Sequence, residues 1–436
     1  MILLMAGIPR KKQGSAVHLS VDTTIAYQVI EGFGAFNTLS FWKEDYGRKI
    51  DFLANDMGLS IFRFELPPTF QPVKGGPYDK KGKVFGGPDL EHNFTDAREL
   101  AKSGVKKFIA SIWSPPAWMK TLNSEGKGPT AEKGGSLRPD AYEDFARYCA
   151  GYCKAFRSET GVDLYAMGLQ NEPEFVEPYN SCVYNPEQMK EALRAVGREF
   201  LKEGITTKIY IPEALPEQKH VAQFFDSVNE DEETSRYANI FAIHNYDADG
   251  MNVGGATAME WKQFSEISRN SRPPKQLWMT ETSGHANTWE GAMLLAANIY
   301  NALAYGNLNA WLWWAIADQK SSEVYALIID GKPTGRYYAS KHYYKFIRPG
   351  AVRIKSETGD PEVLALAFKN SGENRLVAVL INRSREAKDI DLKGIESSSA
   401  PDAFVSNENR YWVKARIGEF NQVSLPPVSM MTLVWK

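Results

Sequence analysis

The chain has 436 residues, long for one compact domain, so a large domain with a smaller companion is the first expectation. Apolar residues make up 43% and charged residues 24%, an ordinary globular mixture that excludes global disorder. Lys plus Arg number 51 and Asp plus Glu 53, for a net charge of −2, and no basic run exceeds Arg10-Lys11-Lys12. Neither nucleic acid nor an anionic membrane surface is therefore an expected partner.

Three cysteines, Cys149, Cys153 and Cys182, are too few for a disulfide framework. Cys149 and Cys153 sit four apart in a helical pattern and read as small buried hydrophobes. The six histidines lack HExxH or similar ligand spacing, so no metal and no cofactor is expected. The opening MILLMAGIPRKK carries an apolar run shorter than a secretory h-region, and no stretch is long enough to span a membrane. Aromatics are 12% of the chain, with 11 Trp and 20 Tyr. Tryptophans beside polar residues at strand ends suit the apolar face of a sugar.

In chain order, eight β-rich runs alternate with helical patterns. The runs are Ile30–Asn37, Leu59–Leu66, Val105–Trp113, Leu164–Asn171, Lys208–Ala214, Asn239–Tyr246, Lys275–Thr282 and Leu308–Ile316. Pro139–Ser158, Pro186–Glu203 and Trp289–Tyr305 are predicted helices between them. Parallel neighbours need crossover connections, so the pattern predicts a closed (β/α)8 TIM barrel over 31–345. An open doubly wound sheet is disfavoured because Gly32-Phe33-Gly34 lacks the third glycine of a phosphate-binding turn. After Arg348-Pro349-Gly350 the texture changes. Val363–Lys369, Leu376–Asn382, Lys388–Leu392, Tyr411–Arg416 and Met430–Trp435 are strands without helices between them, predicting an antiparallel β-sandwich side domain over 346–436. Residues 1–30 include Ala16–Tyr27, which has the same character and is expected to pair with that side domain.

In a barrel, reactive groups gather at the C-terminal strand ends. Those ends carry Arg63 and Glu65, Trp113 and Ser114, Asn171 and Glu172, Glu213, His244 and Tyr246, Glu281, then Trp313 and Trp314. Carboxylates buried beside tryptophans are costly unless paired or used. Glu172 ends strand four and Glu281 strand seven, so they can face each other across the mouth. Glycoside cleavage needs such a pair. Glu174, Glu177 and Glu290 read instead as solvated loop charges. Arg63 is a candidate to hold Glu281 ionised, and Glu65 and Glu213 to support Arg63. Trp113 and Trp313 are candidates for the floor and wall of a central sugar subsite, Trp313 being favoured over Trp314. Trp118 and Trp289 stand equally for surface packing or a sugar contact.

The segments GLQNEPE at 168–174, WMTET at 278–282, WSPPAW at 113–118 and IFRFEL at 61–66 together resemble glycoside hydrolase family 30. The resemblance runs from about Glu31 through Pro349-Gly350 and includes the trailing sandwich. It implies a retaining glycosidase with Glu172 as acid/base and Glu281 as nucleophile. It further implies that Asn171 binds the sugar 2-hydroxyl and that Tyr246 lies against the nucleophile, with His244 beside it or as a core histidine. Within that family the barrel end looks most like the bacterial xylanase branch. Glucuronoxylan-specific members carry an arginine just after strand eight, positioned for a glucuronate carboxylate. Here Ala317-Asp318-Gln319-Lys320 stands in that place and the next arginine is Arg336. A planar fork is what such a carboxylate needs, so a neutral substrate is expected.

The leading expectation is thus an endo-β-1,4-xylanase independent of glucuronate, acting on a polysaccharide or oligosaccharide as a monomer, in a secreted or periplasmic setting inferred from that substrate. An exo-acting β-xylosidase or β-glucosidase, or a β-1,6-glucanase or galactanase, is the alternative. Long loops at Pro67–Asp89 and Ala317–Gly335 would favour exo action by walling one end of the cleft. A non-catalytic carbohydrate-binding protein is the reading from a different class.

Overall fold

The structure, a computed structural model, describes residues 16–216, 218–246, 255–318, 324–370, 372, 375–395, 400–418 and 421–436. Its first eight-stranded unit comprises β1 (Gly32–Phe36), β2 (Ile61–Glu65), β3 (Lys107–Ser111), β4 (Ala166–Gly168), β5 (Lys208–Ala214), β6 (Ala238–His244), β7 (Gln276–Glu281) and β8 (Ala310–Trp313). All neighbours are parallel, and β8 pairs back onto β1, closing a TIM barrel. Each expected run forms a strand.

Side chains alternate across a strand, so every second residue enters the barrel. Ile61, Ile109, Tyr210, Ile240, Trp278 and Leu312 meet there as a packed plug, leaving no pore. Their neighbours, such as Phe62, Phe108 and Trp311, face the surrounding helices. The approach of β1 to β2 demands glycine: a Cβ at Gly34 would lie 2.2 Å from the Ile61 carbonyl oxygen.

The helices outside the barrel are set by local signals. Pro186–Glu203 begins with a reciprocal cap between Asn185 and Gln188, has proline in its first turn, and ends at Gly204 with φ +66°. Ala258–Asn270 repeats the reciprocal cap with Thr257 and Glu260. Tyr142–Thr160 buries Cys149 and Cys153, and burial pushes the Cys153 thiol up to about 12, as befits inert core residues.

Beyond the barrel, Val352–Glu357, Val363–Asn370, Arg375–Asn382, Asp402–Asn407, Arg410–Ala415 and Ser429–Trp435 form an antiparallel sheet. The N-terminal strand Ser20–Val29 completes it by pairing with Val352–Glu357. Val17–His18 joins Lys388–Asp391 and Gln422–Leu425 in a second, three-stranded sheet. Leu19, Ile354, Ala367, Ile390, Leu425 and Met431 pack between the two sheets as one core. The side domain grips the barrel through the helix Gly335–Tyr344. There buried His342 meets Thr432 Oγ1 and Ser406 Oγ, each at 2.8 Å.

Candidate active site

The inward face of each strand continues from the apolar plug to a polar tip. On β2 the series is Ile61, Arg63, Glu65, and past β3 it is Ile109, Ser111, Trp113. Beyond β6 it runs Ile240, Ala242, His244, Tyr246. Strict alternation fails at two carboxylates. The β6–β7 register shifts between Ile243 and His244, so His244 pairs with Glu281 and Thr280 is skipped. This bulge turns Glu281 onto the face that Trp278 occupies. A second shift on β5, between Pro212 and Ala214, carries Glu213 inward with φ +62°. Glu172, just past β4, has φ +43°. Two non-glycine residues in the left-handed region at one strand-end cluster mark a site whose surroundings hold it against backbone strain. Gly168 makes room for Glu213, since a Cβ there would lie 2.4 Å from its Oε2.

Arg63 is fully buried and ties the floor together. Its Nε donates to Ser111 Oγ at 2.8 Å, and Nη2 donates to Asn171 Oδ1 at 2.8 Å and Glu213 Oε1 at 2.9 Å. Nη1 donates to Glu281 Oε2. The guanidinium lies 4.8 Å from the centre of the Trp113 ring. Burial opposes the charge on Glu213, but Arg63, His244 and Ser111 outweigh it and hold the carboxyl below the usual range.

His244 contacts Glu172 Oε1 through Nδ1 at 2.9 Å and Glu213 Oε1 through Nε2 at 3.4 Å. Burial works against its protonation, yet Glu281, Glu172 and Glu213 outweigh it and push the imidazole up to about 9. At neutral pH both nitrogens therefore donate. Tyr246 donates its hydroxyl to Glu281 Oε1 at 3.1 Å. Burial raises Glu281, against the pull of His244 and Arg63 towards the ionised form.

Glu172, His244 and Glu281 also form a group with metal-ligand spacing, one atom from each lying within 4.8 Å of the others. Each member already has a partner inside the site, Arg63 on Glu281 and His244 between Glu172 and Glu213, so the group is built as a network of ion pairs. Glu172 and Glu281 stand close together across the mouth, on the short side that covalent catalysis uses. A double displacement with retention needs carboxyl groups about 5–5.5 Å apart, with one attacking and one exchanging protons.

Three expectations need correction. Trp313 does not face the cleft. Ala310 and Leu312 point into the barrel, so Trp314 follows them there, while Trp313 is fully buried among the helices and stacks on His285. Trp314 instead packs with Phe36, Phe85 and Trp113 at the cleft wall. Glu65 does not support Arg63. It accepts from the Phe85 backbone N–H at 2.5 Å and from Asn180 Nδ2 at 3.4 Å, and burial pushes it up to about 7. Glu177 is not a solvated charge. It is 1% exposed and accepts from Asn171 Nδ2 at 3.5 Å. Burial, then Glu172 and Glu281, push it up to about 10, so it is a neutral acid at pH 7. Glu174 is half-buried and Glu290 exposed. Neither loop tryptophan lines the cleft: Trp118 donates to Gln71 O at 3.0 Å, and Trp289 to Val428 O in the side domain at 2.7 Å. Lys320 lies outside the described residues.

Trp113, Asn171, Glu172, Tyr246, Glu281 and Trp314 line a cavity of about 500 Å³ at the barrel mouth, with Phe41, Phe85, Phe175 and Tyr179 around its rim. An aromatic cleft over a close carboxylate pair at the C-terminal end of a TIM barrel defines a glycoside hydrolase of the retaining kind. The chain belongs to glycosyl hydrolase family 30, matching its TIM-barrel domain over residues 92–321 and its β-sandwich domain over 350–433. It is 26% identical over 399 residues to glucuronoxylanase XynC of Bacillus subtilis (strain 168), covering 88% of this chain and 82% of that protein. Putative glucosylceramidase 1 of Caenorhabditis elegans is 21% identical over 415 residues, covering 84% and 76% respectively. In fold, the chain is similar to a GH30 endoxylanase from Clostridium papyrosolvens C71, with a TM-score of 0.77 and 23% identity over 96% of this chain and 100% of that one.

Proposed function

We propose that this glycoside hydrolase is an endo-β-1,4-xylanase that does not depend on glucuronate side chains. The observation that carries the reading is the charge of the cleft. Among its described lining residues there is no lysine or arginine, while Glu172, Glu281 and Asp318 are acidic. Arg63 lies beneath, fully engaged by Glu213, Glu281 and Asn171. Arg336 is fully buried, bound to the backbone carbonyls of His285 and Ala326 at 2.5 and 2.7 Å, and is not among the residues lining the cleft. A uronate would meet repulsion without a fork to receive it. The likeness to a xylan-degrading enzyme supports xylan as the neutral polymer.

In the proposed reaction Glu281 attacks the anomeric carbon while Glu172, taking up the proton that His244 Nδ1 holds across their 2.9 Å contact, gives it to the leaving oxygen. The bond to the leaving sugar breaks, and an ester between Glu281 and the glycone forms. Glu172, now ionised, takes a proton from water. That water attacks the anomeric carbon from the opposite side, regenerating Glu281 and the original configuration. Arg63 and Tyr246 orient the two Glu281 oxygens, and Arg63 fixes Asn171 through its Oδ1, leaving its amide hydrogens to meet a sugar hydroxyl and Glu177.

The test is product release from neutral xylan, glucuronoxylan, β-1,6-glucan and β-1,6-galactan, sized by chain length, with Glu281→Gln alongside. Ladders from both xylans, absent in the variant, are expected. Cleavage confined to glucuronoxylan, release of a single monosaccharide, or a ladder from a β-1,6-polymer alone would overturn the reading.

A further inference from the structure

At the end of the barrel opposite the catalytic mouth, where β7 and β8 begin, lies a separate cavity of about 630 Å³. Three parts of the chain meet around it: the helix Ala258–Asn270, the end of the helix Trp289–Tyr305, and the strand pair Ser20–Val29 with Val352–Glu357. Among the described residues its charged lining is Lys262, Arg269, Lys275 and Arg353 against one acid, the exposed Glu266. The catalytic cavity has the opposite character, acidic and without a described cation on its walls.

Arg353 and Lys275 are each 7% exposed, and neither meets a carboxylate among the described residues. Arg353 donates from Nε to Gln28 Oε1 at 2.8 Å, and from Nη2 to Asn307 Oδ1 at 3.1 Å and Ala304 O at 3.4 Å. Its guanidinium lies 3.8 Å from the centre of the Tyr27 ring. Nη1 carries two N–H donors and has no partner among the described residues. Lys275 gives one hydrogen bond, to the Ser235 carbonyl. Burial without a countercharge pulls Lys275 down to about 8 and Arg353 to about 10, so both are still cations at neutral pH. Buried cations beside a hollow with no acid to balance them are costly to keep unless an anion arrives. Lys262, 5.3 Å over the Tyr305 ring, and Arg269 add to the positive field.

We propose that this cavity binds a sugar-sized anion, a uronate or a sugar phosphate, whose charged oxygens meet Arg353 Nη1 and whose ring lies against Tyr27. Tyr27 is 42% exposed, so ring surface remains to be covered. The volume is far more than a bare phosphate fills and falls in the range of small-molecule sites. A guanidinium recognises carboxylate and phosphate by the same paired N–H geometry, so the two sources share one chemistry. The site goes beyond the hydrolase reading, and no step of cleavage depends on it.

The test is calorimetric titration of the full chain with glucuronic acid, glucose 6-phosphate, inorganic phosphate and glucose, at low and at high salt. Two variants are compared: Arg353→Gln, and Lys262→Glu combined with Arg269→Glu. One sugar anion is expected to bind about tenfold more tightly than either glucose or inorganic phosphate, and less tightly as salt is raised. Preference for glucuronic acid assigns the site to acidic glycans, and preference for glucose 6-phosphate assigns it to phosphorylated sugars. Arg353→Gln should abolish the binding, and the double variant, at exposed positions, should weaken it about tenfold while leaving the melting temperature and any hydrolysis unchanged. Because Arg353 also braces the strand pair, the double variant decides the matter if Arg353→Gln does not fold. The site is overturned if neither sugar anion binds, if glucose or inorganic phosphate binds as tightly, or if affinity is unchanged in the folded variants. Loss of the site in this way leaves the hydrolase reading untouched, and failure to cleave any polymer leaves the site untouched.

Discussion

His244 Nδ1 and Glu172 Oε1 meet at 2.9 Å, while the other face of the same imidazole reaches Glu213. A buried imidazole shared by two carboxylates, with Glu281 close by, is held protonated far above its ordinary pKa. The folded state thus binds a proton that the unfolded chain releases near 6.5. The stabilisation is fully present below that value and is lost as pH rises through about 9. Melting temperature is expected to fall between these limits, and the fall to flatten in His244→Gln. An equally steep fall in the variant would show that His244 is not the titrating group.

Glu177 predicts the opposite response to substitution. Its carboxyl stays protonated up to about 10, whereas in the unfolded chain it ionises near 4.5. Folding must therefore recapture a proton at neutral pH, and stability drops as pH rises between those values. Glu177→Gln keeps the neutral shape and the bond from Asn171, so it is expected to stabilise the protein by at least ~1 kcal/mol at pH 8. Denaturant titration at pH 5 and pH 8 checks this, with the gain larger at the higher pH.

Removing Arg63 strands two buried carboxylates. Arg63→Leu is expected to destabilise by about 3–5 kcal/mol, the usual consequence of leaving a buried charge unpaired. Arg63→Lys keeps the charge but cannot reach Ser111, Asn171, Glu213 and Glu281 together, so kcat should fall while much of the stability is retained. Chemical denaturation and steady-state kinetics separate the two.

The two glutamates are expected to differ in how they depend on the leaving group. Glu172→Ala should lower kcat by about 10²–10⁴-fold on a sugar leaving group. On a dinitrophenyl glycoside, which departs without a proton, formation of the glycosyl-enzyme should be nearly intact. Glu281→Gln should be inactive on both. Burst kinetics with the aryl substrate read the distinction directly.

The adjacent tryptophans of β8 and its extension should part company. Trp313→Ala removes a fully buried ring and is expected to destabilise by about 3–5 kcal/mol. Trp314→Ala empties part of the cleft wall and should raise KM with a smaller change in melting temperature.

The barrel was readable because eight apolar runs alternated with capped helical patterns, and Glu172 and Glu281 stood at ends of those runs. What could not be read was parity. Leu308–Ile316 is apolar on both faces, so its alternation does not say whether Trp313 or Trp314 turns inward, and only pairing with β1 and β7 decides it. The bulge at Thr280 and the left-handed Glu213 break alternation where function needs a carboxylate re-aimed, and no residue type announces either. Glu177 read as a solvated loop charge and Glu65 as a support for Arg63 because their true surroundings come from segments far away in sequence, such as Phe85 against Glu65. In the side domain, Val352–Glu357 and Asp402–Asn407 carry charges that masked their strand character, and both are held by pairing with distant strands.

The pairing of Ser20–Val29 with Val352–Glu357 sets a timetable for synthesis. The first of these strands leaves the ribosome before the barrel and its partner after it. At roughly 5–20 residues per second it waits on the order of tens of seconds with its hydrogen-bonding edge unmet. During that interval the nascent chain offers a free edge to other strands, the situation in which chaperones are most needed. The barrel can assemble meanwhile, and the clasp that joins both flanks of the chain closes only after it. The same clasp means that pulling on the two ends of the folded protein would load this strand pair before it loaded the catalytic floor.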